Sequence, residues 1–370
     1  MKKSPAFVLA LLLSSPLFAQ ESRQPSTSEV TPSPERLESW QPLGQVPVDQ
    51  AGGGLRGYAI PGEGADVAEP GASNLSLQSV ASNNFYRELA NPFSVSQRDE
   101  THTLALGYRR GFSFGPFRRV ELGGQIQLQE RDSGFLNGFI SSFENLWVSV
   151  TGSTSAKNQL RTDGGALLPL GTTITNNNRL LYQSTGDGSG LGDVRLVAKT
   201  LLHDDTDSAG GPRVAARVVL NVSGASAFTE GNFAGIGVSF DKPLSSWAAF
   251  HGDVRANLLF DRMSQWNVPL KRATFGFSMG PELKLTHNSS IGVQFDGNST
   301  PYRPTGLEAF DASYGSITLG LSHRLTAAGT PLLVQVYGRE NLNLPFSVRW
   351  NTDPDFAVGI KITAHFPRGR

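Results

Sequence analysis

The chain contains no cysteine. That excludes a disulfide framework, a thiolate metal site, a cysteine nucleophile and a lipid anchor on an N-terminal cysteine. Beyond residue 20 it has no apolar run of the ~18 or more residues that a helical membrane span needs. A transmembrane β-barrel escapes that exclusion, because its apolar residues are interleaved with polar ones. An excess of one charge is also missing: 32 Lys and Arg balance 32 Asp and Glu. The clustered basic surface of a nucleic-acid binder is therefore not expected. No HExxH, EF-hand loop, P-loop or paired-carboxylate signature occurs, so no metal and no cofactor is expected. Glycine, in contrast, is abundant at 41 residues, which suits turns and close strand packing better than helices.

The N-terminal part reads as two segments. Residues 1–20 have the form of a secretory signal peptide: Lys2 and Lys3, an apolar run from Ala6 to Leu13, then Pro16 and Ala19 near a cleavage point. Residues 21–72 are rich in Pro, Gly, Ser and Gln, with PSPE at 32–35 and AGGG at 51–54, and are expected to be a disordered or loosely packed linker. The barrel is expected over 73–366, with a short tail at 367–370.

What organises the rest is alternation. In RVELGGQIQLQE (119–130), Val120, Leu122, Ile126 and Leu128 share one face of an extended strand, while Glu121, Gln125, Gln127 and Gln129 share the other. The same period of two recurs at 190–202, 213–221, 246–260, 272–286 and onward to a last strand carrying Phe356, Val358, Ile360, Ile362, Ala364 and Phe366. Connections alternate between short turns (204–211, 241–246, 286–290, 326–330) and longer loops (223–232, 261–271, 299–312, 341–355). Outer-membrane barrels show this asymmetry, with short turns on the periplasmic side. Strands starting near 101, 116, 177, 190, 212, 233, 246, 272, 291, 313, 331 and 356 predict an all-β, antiparallel up-and-down barrel of about twelve strands, fourteen if 74–81 and a strand within 148–176 also span. One stretch breaks the pattern. Phe135, Leu136, Phe139, Ile140, Phe143, Leu146 and Trp147 recur at helical spacing and predict a short amphipathic helix over 133–147.

Lipid explains the alternation better than a soluble core. The longer strands exceed the ~9–11 residues a tilted crossing needs. A Lys or Arg at the lipid midplane costs about 2–4 kcal/mol, so the rows opposite the apolar face must meet water. Those rows predict a lumen lined by Asp193, Arg195, Lys199, Arg217, Asp253, Arg255, Glu282, Lys284 and Arg324. Their mixed signs imply pairing across strands. A twelve-stranded barrel is wider than side chains alone can fill, so either a narrow pore or a plug is expected. The apolar face of the 133–147 helix is expected first to pack on its own barrel; the sharper reading makes 131–176 the candidate plug, with Phe135, Phe139, Phe143 and Trp147 as its constriction.

The last strand resembles the C-terminal recognition strand of outer-membrane proteins, ending at Phe366 before a PRGR tail. It implies the barrel-assembly machinery and outer-membrane lipid as partners. ELGGQI (121–126), GFLNGFISSF (134–143) and GSGLGDVRLVAKTLL (188–202) together resemble an uncharacterised bacterial family of outer-membrane barrels, a domain of unknown function, over Ser73 to Phe366. The resemblance implies the fold and an outer-membrane location. It carries no established activity, substrate or functional residue.

The expected function is passive or gated passage of a small solute, without catalysis. A lipid-active enzyme is the alternative: among the six histidines, His251 or His323 would have to act as base to a nearby serine. A structural or adhesive barrel with contacts at 299–312 and 341–355 is a third reading. His203, Asp204, Asp205 and Asp207 read as a solvated acidic turn.

Overall fold

A sheet with an apolar outer face is stable in lipid only if no backbone edge is left unpaired, which requires closure. The computed structural model describes residues 43–46, 58, 60–90, 93–132, 171–184, 188–205, 211–223, 231–264, 267–341 and 356–367. It shows that closure. The strands are β1 (Ser73–Ala90), β2 (Phe93–Phe114), β3 (Phe117–Asp132), β4 (Gly171–Asn176), β5 (Arg179–Gln183), β6 (Gly188–Asp204) and β7 (Arg213–Val222). They continue with β8 (Phe233–Pro243), β9 (Ala248–Leu259), β10 (Ala273–Lys284), β11 (Ser289–Asn298), β12 (Tyr314–Ala327), β13 (Thr330–Asn341) and β14 (Phe356–Phe366). A short helix, α1 (Glu308–Asp311), lies between β11 and β12.

Every pairing between strands is antiparallel. The ring closes where β1 meets both β2 and β14, with Ser73 opposite Phe366 and Asn83 opposite Phe356. Twelve strands make the wall: β1 to β3 and β6 to β14. The two extra strands, β4 and β5, form a hairpin that joins β2 through Phe93–Arg98, above the part of β2 that β3 covers. Asn177 and Asn178 both take positive φ in its two-residue turn, the conformation that matches strand twist.

The number of wall strands is as expected, but their identity differs in one place. The stretch at 177–185 was expected in the wall, and 74–81 was left over. Instead Ser73–Ala90 is wall and β5 lies at the rim. The reason is length: β4 and β5 have 6 and 5 residues, short of the ~9–11 needed to cross, whereas β1 has 18 and gives β14 its second neighbour. The expected helix at 133–147, the signal peptide at 1–20 and residues 368–370 lie outside the described residues.

Burial is inverted relative to a soluble protein. Ordinarily Lys, Arg, Glu and Asp are almost never fully buried unless paired. Here Arg217 is 3% exposed while its neighbour Val218 is 54% exposed, and Glu282 is 3% exposed beside Leu283 at 39%. Leu75, Leu106, Leu128, Ile236, Phe275 and Leu319 continue the exposed apolar band around the ring. Substituting Val218→Arg at mid-height should destabilise protein refolded in lipid vesicles by about 2–4 kcal/mol in urea titrations. A cost near zero would mean that this face does not meet lipid.

Candidate functional site: the lumen and its inserted segment

The inner wall is polar because every second residue of each wall strand points inward. Asp193, Arg195, Lys199, Arg217, Asp253, Arg255 and Glu282 are all buried there. Lys284, on the same face near a short turn, is half-buried, and Arg324 is exposed at the end of β12. The charges meet across strands. Arg217 Nη2 donates to both Asp253 oxygens at 3.0 Å. Arg255 Nη1 donates to Asp253 Oδ1 at 3.1 Å and to Ser278 Oγ at 2.7 Å, and Arg255 Nη2 donates to Asn298 Oδ1 at 3.0 Å. Arg195 Nε donates to Asn221 Oδ1 at 3.1 Å. Arg217 spans β8 to reach β9 because β8 offers Gly237 beneath it: a Cβ there would sit 2.8 Å from Arg217 Nε.

The lumen is not empty. Residues 43–46, 58 and 60–72 lie against the inner wall, and many of the contacts are made to their backbone. Glu282 accepts from Leu43 N at 2.9 Å and from Gly44 N at 3.2 Å. Ile60 N donates to Asn257 Oδ1 at 3.4 Å, Ala65 N to Asp241 Oδ2 at 2.7 Å, and Ala68 N to Glu121 Oε2 at 3.1 Å. Lys199 Nζ donates to Gly64 O at 2.6 Å, and Arg217 Nη2 to Pro61 O at 2.6 Å. Gly62 is seated so closely that a Cβ would come within 2.3 Å of Ser278 Oγ. Val46 packs with Val80, Tyr337 and Ala357 on the opposite side of the ring.

Of the stretch 21–72 expected to be disordered or loosely packed, residues 43–46, 58 and 60–72 are seated on the wall, and the rest lies outside the described residues. A Pro- and Gly-rich stretch cannot build its own core. It is ordered here because the barrel supplies hydrogen-bond partners for its backbone. The expected plug residues Phe135, Phe139, Phe143 and Trp147 lie outside the described residues, so the lumen filling described here comes from a different part of the chain.

Glu63 is the charged centre of the inserted segment. Its carboxylate pairs with Arg109 of β2, with Arg217 Nη1 at 2.8 Å and with Lys199 Nζ at 3.4 Å. Burial alone would raise its carboxyl pKa. Arg109, Lys199 and Arg217 outweigh burial and hold it well below the usual carboxylate range. Deeper toward the short turns, His251 stands between two carboxylates, with Nδ1 2.7 Å from Asp241 and Nε2 2.6 Å from Glu282. Both acids also hold the segment's backbone, so His251 ties its two halves to one point on the wall.

At the long-loop end the lining turns apolar. Tyr58 and Ile60 join Val95, Val219, Phe233 and Leu259 of the wall, together with Val268, Leu270, Tyr302, Leu307 and Phe310 from loops and α1.

The histidines considered as bases sit in different settings. His251 is engaged by two carboxylates rather than a serine. His323 Nδ1 lies 2.8 Å from Ser289 Oγ at an exposed short-turn rim. Among the described residues no carboxylate orients its other nitrogen, as an activated serine would need. Nor, among the described residues, is any group of three His, Asp or Glu side chains arranged to hold a metal ion. Sequence reasoning missed Glu63, Arg109, Glu121 and Asp241. Period-two alternation placed Arg109, Glu121 and Asp241 on the inner face without singling them out, and for Glu63 the signal was GEGAD at 62–66, a carboxylate flanked by glycines in a stretch without periodicity.

Closed ring, lipid-type outer band and polar lumen together define a β-barrel of the outer-membrane type. In keeping with that class, the chain is similar in structure to an outer membrane channel from Pseudomonas putida F1, with a TM-score of 0.50 at 12% identity, over 81% of this chain and 97% of that one. The KdgM porin aligns at a TM-score of 0.37 and 7% identity over 79% of this chain and 98% of its own. The CymD monoaromatic hydrocarbon channel aligns at 0.37 and 10% over 81% and 88%. No family model matches the chain, and no curated protein does.

The absence of native cysteine makes the segment's position directly testable. A Cβ at Gly320 would lie 3.5 Å from Val46 Cβ, within the range of a disulfide. The double substitution V46C/G320C should therefore oxidise to an intramolecular crosslink, visible as a reductant-sensitive mobility shift on a denaturing gel. Two free thiols after oxidation would place 43–46 elsewhere.

Proposed function

We propose that this protein is an outer-membrane channel for a small solute, closed in the described conformation by its own N-terminal segment and without catalytic activity. The observation that carries this reading is the way the segment is held. Beside apolar contacts at Val46, Tyr58, Ile60 and Val67, the wall grips it through backbone hydrogen bonds and the ion pairs of Glu63, Asp66 and Glu69, each of which water can replace. A permanent core would instead be sealed by interdigitated apolar side chains. Once the segment moves, the wall behind it is lined with hydrogen-bonding and charged groups on twelve strands, a surface suited to water and solute.

In this reading Asp193, Arg195, Lys199, Arg217, Asp253, Arg255, Glu282, Lys284 and Arg324 line the passage, and their pairing keeps the wall rigid. The signal-like residues 1–20 direct export. The strand ending at Phe366 engages the barrel-assembly machinery, and the outer band sits in outer-membrane lipid. The local likeness to an uncharacterised outer-membrane barrel family fits the same picture.

Planar-bilayer recording of full-length V46C/G320C tests it. Oxidised protein should hold a low current, and reductant should raise the mean conductance several-fold as the segment is released. Equal current in the two states, whether large or absent, would contradict gating by this segment.

A further inference from the structure

Two cations face each other on the wall. Lys199 of β6 is directly opposite Arg217 of β7 in the strand register, and both side chains are buried. Like charges in that position repel and weaken a sheet. Arg217 has Asp253 as a wall partner, and Arg109 has Glu121 at 3.0 Å. Lys199 is different: among the described residues, Glu63 is the one carboxylate within ion-pair distance of it. Glu121 of β3 also stands opposite Lys199 in the register, but it contacts Arg109 and the Ala68 backbone, so among the described residues the wall leaves Lys199, alone of the three convergent cations, without a negative charge in contact. The inserted segment supplies that charge through a single side chain.

The carboxylate that fills the gap is not sealed off. Glu63 keeps 22% side-chain exposure, whereas Lys199 and Arg217 keep 2% and 1%. Its site thus has a buried cationic floor and an opening toward solvent. The geometry suits a carboxylate: the Arg217 guanidinium donates to one Glu63 oxygen while Arg109 and Lys199 meet the other. Nearby acids are already engaged. Glu121 binds Arg109 and the Ala68 backbone, Asp253 binds Arg217 and Arg255, and Asp241 binds His251 and the Ala65 backbone.

We propose that Arg109, Lys199 and Arg217 form a carboxylate-binding site in the lumen, that Glu63 is its tethered occupant, and that the solute is a small carboxylate-bearing anion that takes the place of Glu63. This rests on the channel reading for its last clause; the site itself does not. Competition at the site would couple solute to opening, because an anion bound there removes the segment's anchor on three strands at once. The cost of withdrawing Glu63 is then offset by the incoming carboxylate, and the facing pair Lys199 and Arg217 is never left bare.

The test is chemical rescue in the full-length chain. Glu63→Ala should lower the thermal midpoint of the folded protein in detergent. Sodium acetate should restore part of it saturably, by about 2 °C at roughly 100 mM for a site half-filled at ~10 mM. Acetamide, the neutral isostere, and sodium chloride at equal ionic strength should not. Acetate should leave the wild type unmoved, since its site is full, and adding Lys199→Gln to Glu63→Ala should abolish the rescue. If Glu63→Ala folds poorly, the yield of folded protein in acetate against acetamide is the same readout. The proposal is overturned if acetate restores neither midpoint nor yield, if chloride does as well as acetate, or if the rescue survives Lys199→Gln. Bilayer current and acetate rescue are independent. Rescue without current would sink the channel and keep the site, and current without rescue would do the reverse.

Discussion

The structure depends on one constraint: a charged side chain placed at membrane depth must face water or a countercharge. Leaving a Lys or Arg in hydrocarbon costs a few kcal/mol per residue. Rows such as Arg195 and Lys199 on β6 and Asp253 and Arg255 on β9 can therefore exist only on the inside of a closed ring. Closure, the apolar outer band and the cross-strand pairing of Arg217, Asp253 and Arg255 all follow. So does the inserted segment, whose carboxylates Glu63, Asp66 and Glu69 each meet cations of the wall, Glu63 being the one that reaches Lys199.

The lumen changes character along its length. Its short-turn half is ionic and holds the segment at Asp241, His251, Glu282 and the Glu63 cluster. Its long-loop half is lined by the apolar group around Phe233, Tyr302 and Phe310, where Tyr302 and Phe310 meet edge-on at 4.7 Å. The segment bridges the two environments, with Tyr58 and Ile60 in the apolar part and Glu63 to Ala68 in the ionic part. Substitutions in one half need not disturb the other, since the two rest on different physics.

Much of the wall was legible in the sequence because strand period and environment agree. Val120, Leu122, Ile126 and Leu128 could only share a face, and that face is the outer one. The count of wall strands followed from length and loop alternation. What was not legible has physical reasons. β1 is flanked at one end by a connection of only two residues on the long-loop side, which breaks the short–long rhythm used to count strands. The hairpin β4–β5 alternates like a wall strand but is too short to cross. The segment at 60–72 has no strand or helix period, because its contacts are a mixture of backbone hydrogen bonds, ion pairs and single apolar side chains rather than one repeating face. Its composition is that of a linker, and only the wall turns it into structure.

The account's central claim is the sidedness of the wall, and spin-label accessibility along β7 tests it most directly. Single cysteines are placed in turn from Ala216 to Asn221 in the cysteine-free chain, labelled, and refolded in lipid vesicles. Labels at Val218 and Leu220 should collide freely with membrane-dissolved oxygen, while those at Arg217, Val219 and Asn221 should be shielded from it, giving a period of two. The opposite phase, with position 217 facing oxygen, or no periodicity at all, would contradict the account.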